Sequence, residues 1–231
     1  SLLVFVGLYV RLRLSETPAF QRAVENRERV RIPVLTVITQ HPLTLLYGTF
    51  AAAATFVLFY LMTVFSLSWG TSALGYTRQQ FLILQMIGVI AFAVTIPLSA
   101  VWADRTGNRR VIIWATLGII AFGFVLAPLF AAGTQLGVLA YLSLGLGLMG
   151  LTYGPLGTAL AALFPTAVRY TGASLTFNLA GIVGASLAPY AATALASSYG
   201  LPFVGYYLSA AGTITLIALI LVGRGQPSDV R

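Results

Sequence analysis

The sequence has no cysteine, no lysine and one histidine, His41. Without cysteine there can be no disulfide and no thiolate-held metal. With one histidine, at the edge of an apolar run, there is no cluster of the kind that holds a metal or runs acid–base chemistry at depth. Acids are scarce too: five Asp and Glu among 231 residues, with charged residues at 8% of the chain. Against these absences stand 58% hydrophobic residues and a mean hydropathy of +0.92. A soluble domain of this size could not cover so much apolar surface, so the solvent for most of the chain is lipid. The net charge of +8 comes from 13 arginines. They lie between apolar runs, which marks membrane topology and gives no footprint for a nucleic acid.

Residues 1–10 are apolar with no basic residue before them. That is the wrong order for a secretory signal. Residues 1–14 read as the end of a spanning helix that begins upstream, so the chain is expected to be a fragment of a longer one. Residues 15–41 are polar, with Arg22, Arg27, Arg29 and Arg31 interleaved with Glu16, Glu25 and Glu28, and with Pro18 and Pro33 as punctuation. A short surface helix is expected there. Six full spans follow, at about 43–66, 80–102, 111–132, 137–161, 172–196 and 204–223, each near the roughly 20 residues that cross a bilayer.

The connections alternate. Segments 67–79, 133–136 and 197–203 are almost uncharged, whereas 15–41, 103–110, 162–171 and the tail 224–231 hold nearly every charge. Arg78 is the one arginine on the first side. The positive-inside rule makes the arginine-rich side, and the C-terminus with it, cytoplasmic. No Glu, Lys or His lies inside the six spans. A charge at a helix centre costs about 3 kcal/mol on insertion scales, and such residues are the usual proton relays. A proton-coupled parent protein would carry its relay outside this chain.

Polar and aromatic residues at helical spacing mark a candidate wet face on four spans. The first has Thr49, Phe56, Tyr60 and Thr63. The second has Gln85, Gly88, Phe92, Thr95 and Ser99. The fourth has Tyr141, Gly145 and Thr152 with Tyr153 beside them, and the fifth has Ser174, Asn178, Gly181 and Ala185. The third and sixth show no such stripe. This pattern suggests a bundle around a cavity with two helices kept outside. The competing reading is structural: Ser and Thr bond back to their own helix, and Gln and Asn bridge helices. Gly145, Gly147, Gly150, Gly154 and Gly157 with Pro155, and Gly181, Gly184, Ala185 and Ala188, permit close packing or a bending element.

Between two spans lies Trp102-Ala103-Asp104-Arg105-Thr106-Gly107-Asn108-Arg109-Arg110, with four charges in seven positions. Gly107 suits a tight turn. Asp104 falls where its helix should end, at the negative pole of the helix dipole, where an anion is disfavoured. A second cluster, Phe164-Pro165-Thr166-Ala167-Val168-Arg169-Tyr170-Thr171-Gly172, precedes the fifth span. The free N–H groups at that helix start, with Arg169, could receive Asp104 if the second and fifth spans are neighbours.

These residues resemble the C-terminal half of a major facilitator superfamily transporter. Asp104-Arg105-Thr106-Gly107-Asn108-Arg109-Arg110 is similar to the superfamily's D-R-x-G-R-R signature between helices eight and nine, with Asn108 intervening. Leu163-Phe164-Pro165-Thr166-Ala167-Val168-Arg169-Tyr170-Thr171-Gly172-Ala173-Ser174 is similar to the L-F-P-T-x-V-R-x-x-G-A-S run after helix ten. With Tyr153-Gly154-Pro155, Leu187-Ala188-Pro189, Glu16-Thr17-Pro18 and His41-Pro42, the resemblance points to the metabolite:H⁺ symporter family. It covers the whole chain, from the end of helix six to the end of helix twelve. Where that family carries an acid before L-F-P-T, this chain has Ala162.

The resemblance implies an all-α fold in which 1–14 ends helix six, 15–41 is a cytoplasmic central loop, 43–223 is a six-helix transport domain and 224–231 is a cytoplasmic tail. It implies an inner-membrane carrier that works by alternating access between two halves. Its partners would be the lipid bilayer, a small polar solute (an organic acid, or a zwitterion such as proline or betaine) and an N-terminal six-helix half. It implies no cofactor beyond a coupling proton, no catalytic residue and no metal. Asp104, Arg105, Gly107, Arg109, Arg110 and Arg169 would form the cytoplasmic gate. Tyr60, Gln85, Tyr153 and Asn178 would face the substrate cavity. The alternatives are an uncoupled facilitator or exchanger, a non-transporting six-helix membrane domain, and a membrane enzyme, for which titratable groups at depth are lacking.

Overall fold

A computed structural model of the protein describes residues 32–224, together with Tyr9. The expected end of helix six and most of the central loop lie outside the described residues. A short helix α1, Pro33–Gln40, leads into six long ones: α2 (Pro42–Ser72), α3 (Arg78–Thr106), α4 (Asn108–Ala131), α5 (Gln135–Ala161), α6 (Arg169–Tyr199) and α7 (Leu201–Arg224). All six are long and apolar enough to cross a membrane, and no strand occurs among the described residues.

All six helices start before the expected spans, and four also run past their ends, because the termini are specified locally. Thr77 caps α3 by accepting from the Gln80 N–H, while the Gln80 side chain accepts from the Thr77 N–H. This reciprocal box satisfies two of the donors that a helix start leaves free. Thr134 caps α5 through the Gly137 N–H. The α3–α4 connection is a single residue, Gly107, at φ +93°. A Cβ is strongly disfavoured in that region, so the expected charged loop collapses to a corner.

The helices pack in a row: α3 against α5, α5 against α4, α4 against α7, α7 against α2, and α2 against α6. Smaller contacts of α2 with α5, and of α6 with α5 and α7, fold the row into a bundle. The end members of the row are the least covered. Only 11% of the most apolar stretch of α3 and 28% of that of α6 are buried, against 61% for α2. The outer side of α3 presents Ile83, Met86, Ile90, Val94 and Leu98, a stripe at helical spacing with no protein against it among the described residues.

Two cores form. One holds Leu58, Met62, Phe65, Phe81, Phe122, Phe130 and Tyr141; the other, nearer the arginine-rich end, holds Ala52, Ile112, Leu156, Leu160, Ala180 and Leu219. Tyr141 stacks between Phe122 and Phe130, at 5.9 and 4.3 Å, and its hydroxyl meets Ser66 Oγ at 2.9 Å. The expectation that Tyr141 belongs to a wet face is therefore corrected: it is fully buried, because three aromatic planes bury more apolar area together than apart.

The glycines of α5 divide between packing and open space. A Cβ on Gly150 or Gly154 would run into Thr95 and Ser99 of α3 and, at 2.7 Å, into the carbonyls of Phe92 and Ile96. A Cβ on Gly145 would meet Met62. A Cβ on Gly157 would meet no group from another part of the bundle within 4 Å among the described residues. Small residues at this seam let α3 and α5 approach closely.

The Thr116 hydroxyl on α4 is buried with no hydrogen-bond partner among the described residues. A buried hydroxyl without a partner costs on the order of 1 kcal/mol or more. Thr116→Val, which keeps the shape and removes the hydroxyl, is expected to raise the thermal midpoint, with a gain of about 1 kcal/mol. A lowered midpoint in detergent would show that this hydroxyl is bonded in the native protein.

Candidate functional site

At the arginine-rich end the structure builds a corner from two helix termini. Asp104 and Arg105 are in the last turn of α3; Asn108, Arg109 and Arg110 open α4. Arg109 donates from Nε to the Leu219 carbonyl at 2.9 Å and from a terminal nitrogen to the Ile220 carbonyl at 3.4 Å. Both acceptors are near the C-terminus of α7, the negative pole of its dipole, where a cation is favoured. Arg109 is therefore a clamp between α4 and α7, a role the sequence did not suggest. Asp104, Arg105 and Arg110 are exposed and make no ion pair among the described residues.

Arg169 is the first residue of α6, and its Nε donates to the Phe164 carbonyl at 3.3 Å. That bond closes the connection that begins at Ala162. It also turns Arg169 into a groove of about 560 Å³ between α5 and α6, shared with Thr166, Ser174, Phe177 and Asn178. The expected meeting of Asp104 with the start of α6 is not formed. α3 and α6 stand at opposite ends of the packing row and make no extensive contact. α5 takes up the inner side of α3, and α2 that of α6.

α3 has charges of the disfavoured sign at both poles. Asp104 sits in its C-terminal turn and Arg78 is its first residue. Neither has a charged partner among the described residues. The C-terminal turn also holds Arg105, of the favoured sign, so Arg78 is the charge left without compensation on its own helix end.

Deeper in the bundle, four rings from four helices stand in a row. Phe56 of α2 meets Phe177 of α6 edge-on at 4.9 Å. Phe177 meets Tyr153 of α5 at 6.3 Å, and Tyr153 meets Phe92 of α3 at 5.8 Å. Tyr153 is 38% exposed, so the row presents its faces on an open side of the bundle. These are the four helices whose polar stripes marked a wet face. Phe177 carries no polar signal in the sequence, where its neighbour Asn178 is the residue that marks this face. Asn178 is exposed and donates to the Ser174 carbonyl of its own helix at 2.8 Å.

The other two residues expected in a cavity stand elsewhere. Tyr60 is half-buried beside Phe59 at 5.0 Å. It immediately precedes a π-helical turn, Leu61–Phe65, inside α2. Gln85 of α3 is bound to that turn: its Nε2 donates to the carbonyls of Met62 and Thr63 at 2.8 and 3.0 Å. Gln85 is a bridge across helices, and only its carbonyl oxygen is left to face a ligand. The structure thus makes two local groups, Tyr153 with Phe177 and Asn178, and Gln85 with the turn after Tyr60. No feature of the sequence signalled the π turn.

The whole chain matches the family model described as Major Facilitator Superfamily, over residues 1–185 and again over residues 71–231. It is 46% identical over 226 residues to the inner membrane metabolite transport protein YhjE of Escherichia coli (strain K12), covering 96% of this chain and 51% of that protein. A putative metabolite transport protein of Haemophilus influenzae is 40% identical, with 96% and 52% covered. The shikimate transporter of Escherichia coli is 28% identical, with 97% and 52% covered. The chain spans about half the length of these curated relatives. With six membrane-length helices, a corner built on Asp104-Arg105-Thr106-Gly107 and relatives that are transport proteins and not enzymes, this chain belongs to the Major Facilitator Superfamily.

Proposed function

We propose that the chain is the C-terminal six-helix half of an inner-membrane carrier for a small polar metabolite, working by alternating access and coupled to protons as in the metabolite:H⁺ symporters. The observation that carries this reading is the row of rings Phe92, Tyr153, Phe177 and Phe56 across α3, α5, α6 and α2. It lies on a bundle whose end helices α3 and α6 are the least covered. A second six-helix half set against those two helices would close the open side into a solute path with one aromatic wall. The arginine-rich end is cytoplasmic in this reading, as is the C-terminus. Asp104, Arg105 and Arg110 then face charges on the other half, while Arg109 holds α4 to α7 and Gly107 fixes the corner. Arg169 lines the cytoplasmic groove with Asn178. The coupling proton is carried on the other half.

The shikimate transporter's name and the resemblance to the metabolite:H⁺ symporters supply the probes. Uptake of labelled proline, glycine betaine and shikimate into proteoliposomes that hold this half together with its N-terminal half, with and without an inward proton gradient, tests transport and coupling together. Uptake that ignores the gradient favours a facilitator. For whichever probe is carried, Tyr153→Ala is expected to lower uptake about tenfold, because two ring contacts are lost at once. Tyr153→Phe keeps the row and should retain most of the rate. Equal uptake by wild type and Tyr153→Ala would remove the ring row from the path.

A further inference from the structure

At the end of the bundle opposite the arginine corner, α2 and the start of α3 enclose a groove of about 500 Å³ lined by Thr63, Val64, Leu67, Ser68, Thr71 and Arg78. Thr63, Leu67 and Thr71 follow one another at four-residue steps, so they form one stripe on α2. Arg78 is the only charged side chain at this end among the described residues. It is also held where it is electrostatically disfavoured, on the positive pole of α3. An anion arriving at the groove relieves that mismatch and gains a guanidinium that presents a planar fork of donors.

The hydroxyls divide into two kinds. Thr63 Oγ1 donates to the Phe59 carbonyl at 2.6 Å, and Thr71 Oγ1 donates to the Leu67 carbonyl at 2.9 Å. With their protons committed, these two oxygens offer lone pairs to the groove. Ser68 makes no hydrogen bond through its hydroxyl among the described residues and can donate. The groove therefore offers donors at Arg78 and Ser68 and acceptors at Thr63 and Thr71.

We propose that this groove is a docking site for a small carboxylate that also carries hydroxyl or ammonium donors, held at the mouth before it enters the membrane path. Arg78 and Ser68 take the carboxylate; Thr63 and Thr71 accept from the ligand's own donors. The site deepens the carrier reading and rests on it for its purpose, but its occupancy is an equilibrium property that uptake does not define.

The test is the heat stability of the purified protein titrated with three probes. Glycerate has a carboxylate and two hydroxyls, glycine betaine has a carboxylate and no donor, and glycerol has hydroxyls alone. Glycerate is expected to stabilise at the lowest concentration. Its half-saturation should rise about tenfold in Arg78→Gln, the loss of one charge-assisted contact, and less in Arg78→Lys. Ser68→Ala gives a second variant, expected to weaken glycerate severalfold, should Arg78→Gln express poorly. An unchanged half-saturation in both Arg78→Gln and Ser68→Ala overturns the proposal. So does a half-saturation that responds to Tyr153→Ala and ignores Arg78→Gln, since glycerate would then sit on the ring row. The carrier reading is judged separately, by proteoliposome uptake in Tyr153→Ala.

Discussion

Gly205→Leu is expected to leave almost no folded protein. α4 and α7 meet back to back at Gly123 and Gly205. A Cβ on Gly205 would collide with the Gly123 carbonyl oxygen, and one on Gly123 with the Gly205 carbonyl and Ser209 Oγ. Overpacking a core costs about 1–3 kcal/mol where side chains can shift, and here the obstacle is backbone. Separating the helices would also break the Ser209 Oγ bond to the Ile120 carbonyl at 2.8 Å and loosen Gly212 from Ile120, which a Cβ would approach to 2.7 Å. The cost should therefore exceed about 3 kcal/mol. The measurement is the monodisperse fraction by size-exclusion chromatography in detergent. Gly205→Ala should be intermediate. Gly157→Ala, whose Cβ would meet no group from another part of the bundle within 4 Å among the described residues, should behave as wild type. A Gly205→Leu protein that elutes and melts like wild type would mean that α4 and α7 do not meet at these glycines.

The second large effect is expected at Gln85. Its amide donates to two carbonyls of the π turn in α2. Interhelical hydrogen bonds in membranes average about 0.6 kcal/mol, with a maximum near 1.7, because the separated helices find other partners. Here two acceptors share one donor group within an irregular turn, where replacement partners are few. Gln85→Leu should cost about 2 kcal/mol. Gln85→Glu should cost more than Gln85→Leu at neutral pH, since it sets a carboxylate against two carbonyl oxygens. Gln85→Asn, one methylene shorter, should fall short of the turn and behave like Leu. Thermal midpoints of the three variants decide the case. A Gln85→Glu protein as stable as wild type would show that the amide does not donate to the turn.

Much of the bundle was legible in the sequence because the bilayer enforces a simple rule: about 20 apolar residues per span, with charges at the ends. The sequence also showed which four helices would share a face. What lay on that face was less legible. Ring planes depend on rotamers, so Phe177 could not be preferred over Asn178 from spacing alone. Tyr141 and Gln85 looked like cavity residues because a polar atom in a span reads the same whether it meets solute or protein. The α7 seam at Gly205, Ser209 and Gly212 was visible as small residues at steps of four and three. Small residues without a polar stripe do not say which neighbour a helix packs against. Thr213 and Thr215 of α7 stand nearly alone as polar residues in the sequence; in the structure Thr215 donates to the Phe50 carbonyl at 2.7 Å and accepts from the Ala54 N–H at 3.0 Å, tying α7 to α2. The π turn left no trace in residue type, since Leu61–Phe65 would suit an ordinary helix equally well.

The one-residue corner at Gly107 has a mechanical meaning. α4 is fixed to α7 by the glycine contact and by Arg109, so it serves as a frame. α3 is covalently joined to that frame at one end through a single residue. At 29 residues it is roughly 43 Å long. A rotation of about 5° at the corner would carry its far end, where Arg78 stands, through roughly 4 Å. Because α3 is also bound to α5 along the Gly150 and Gly154 seam and to α2 through Gln85, any tilt at this corner must carry those helices with it.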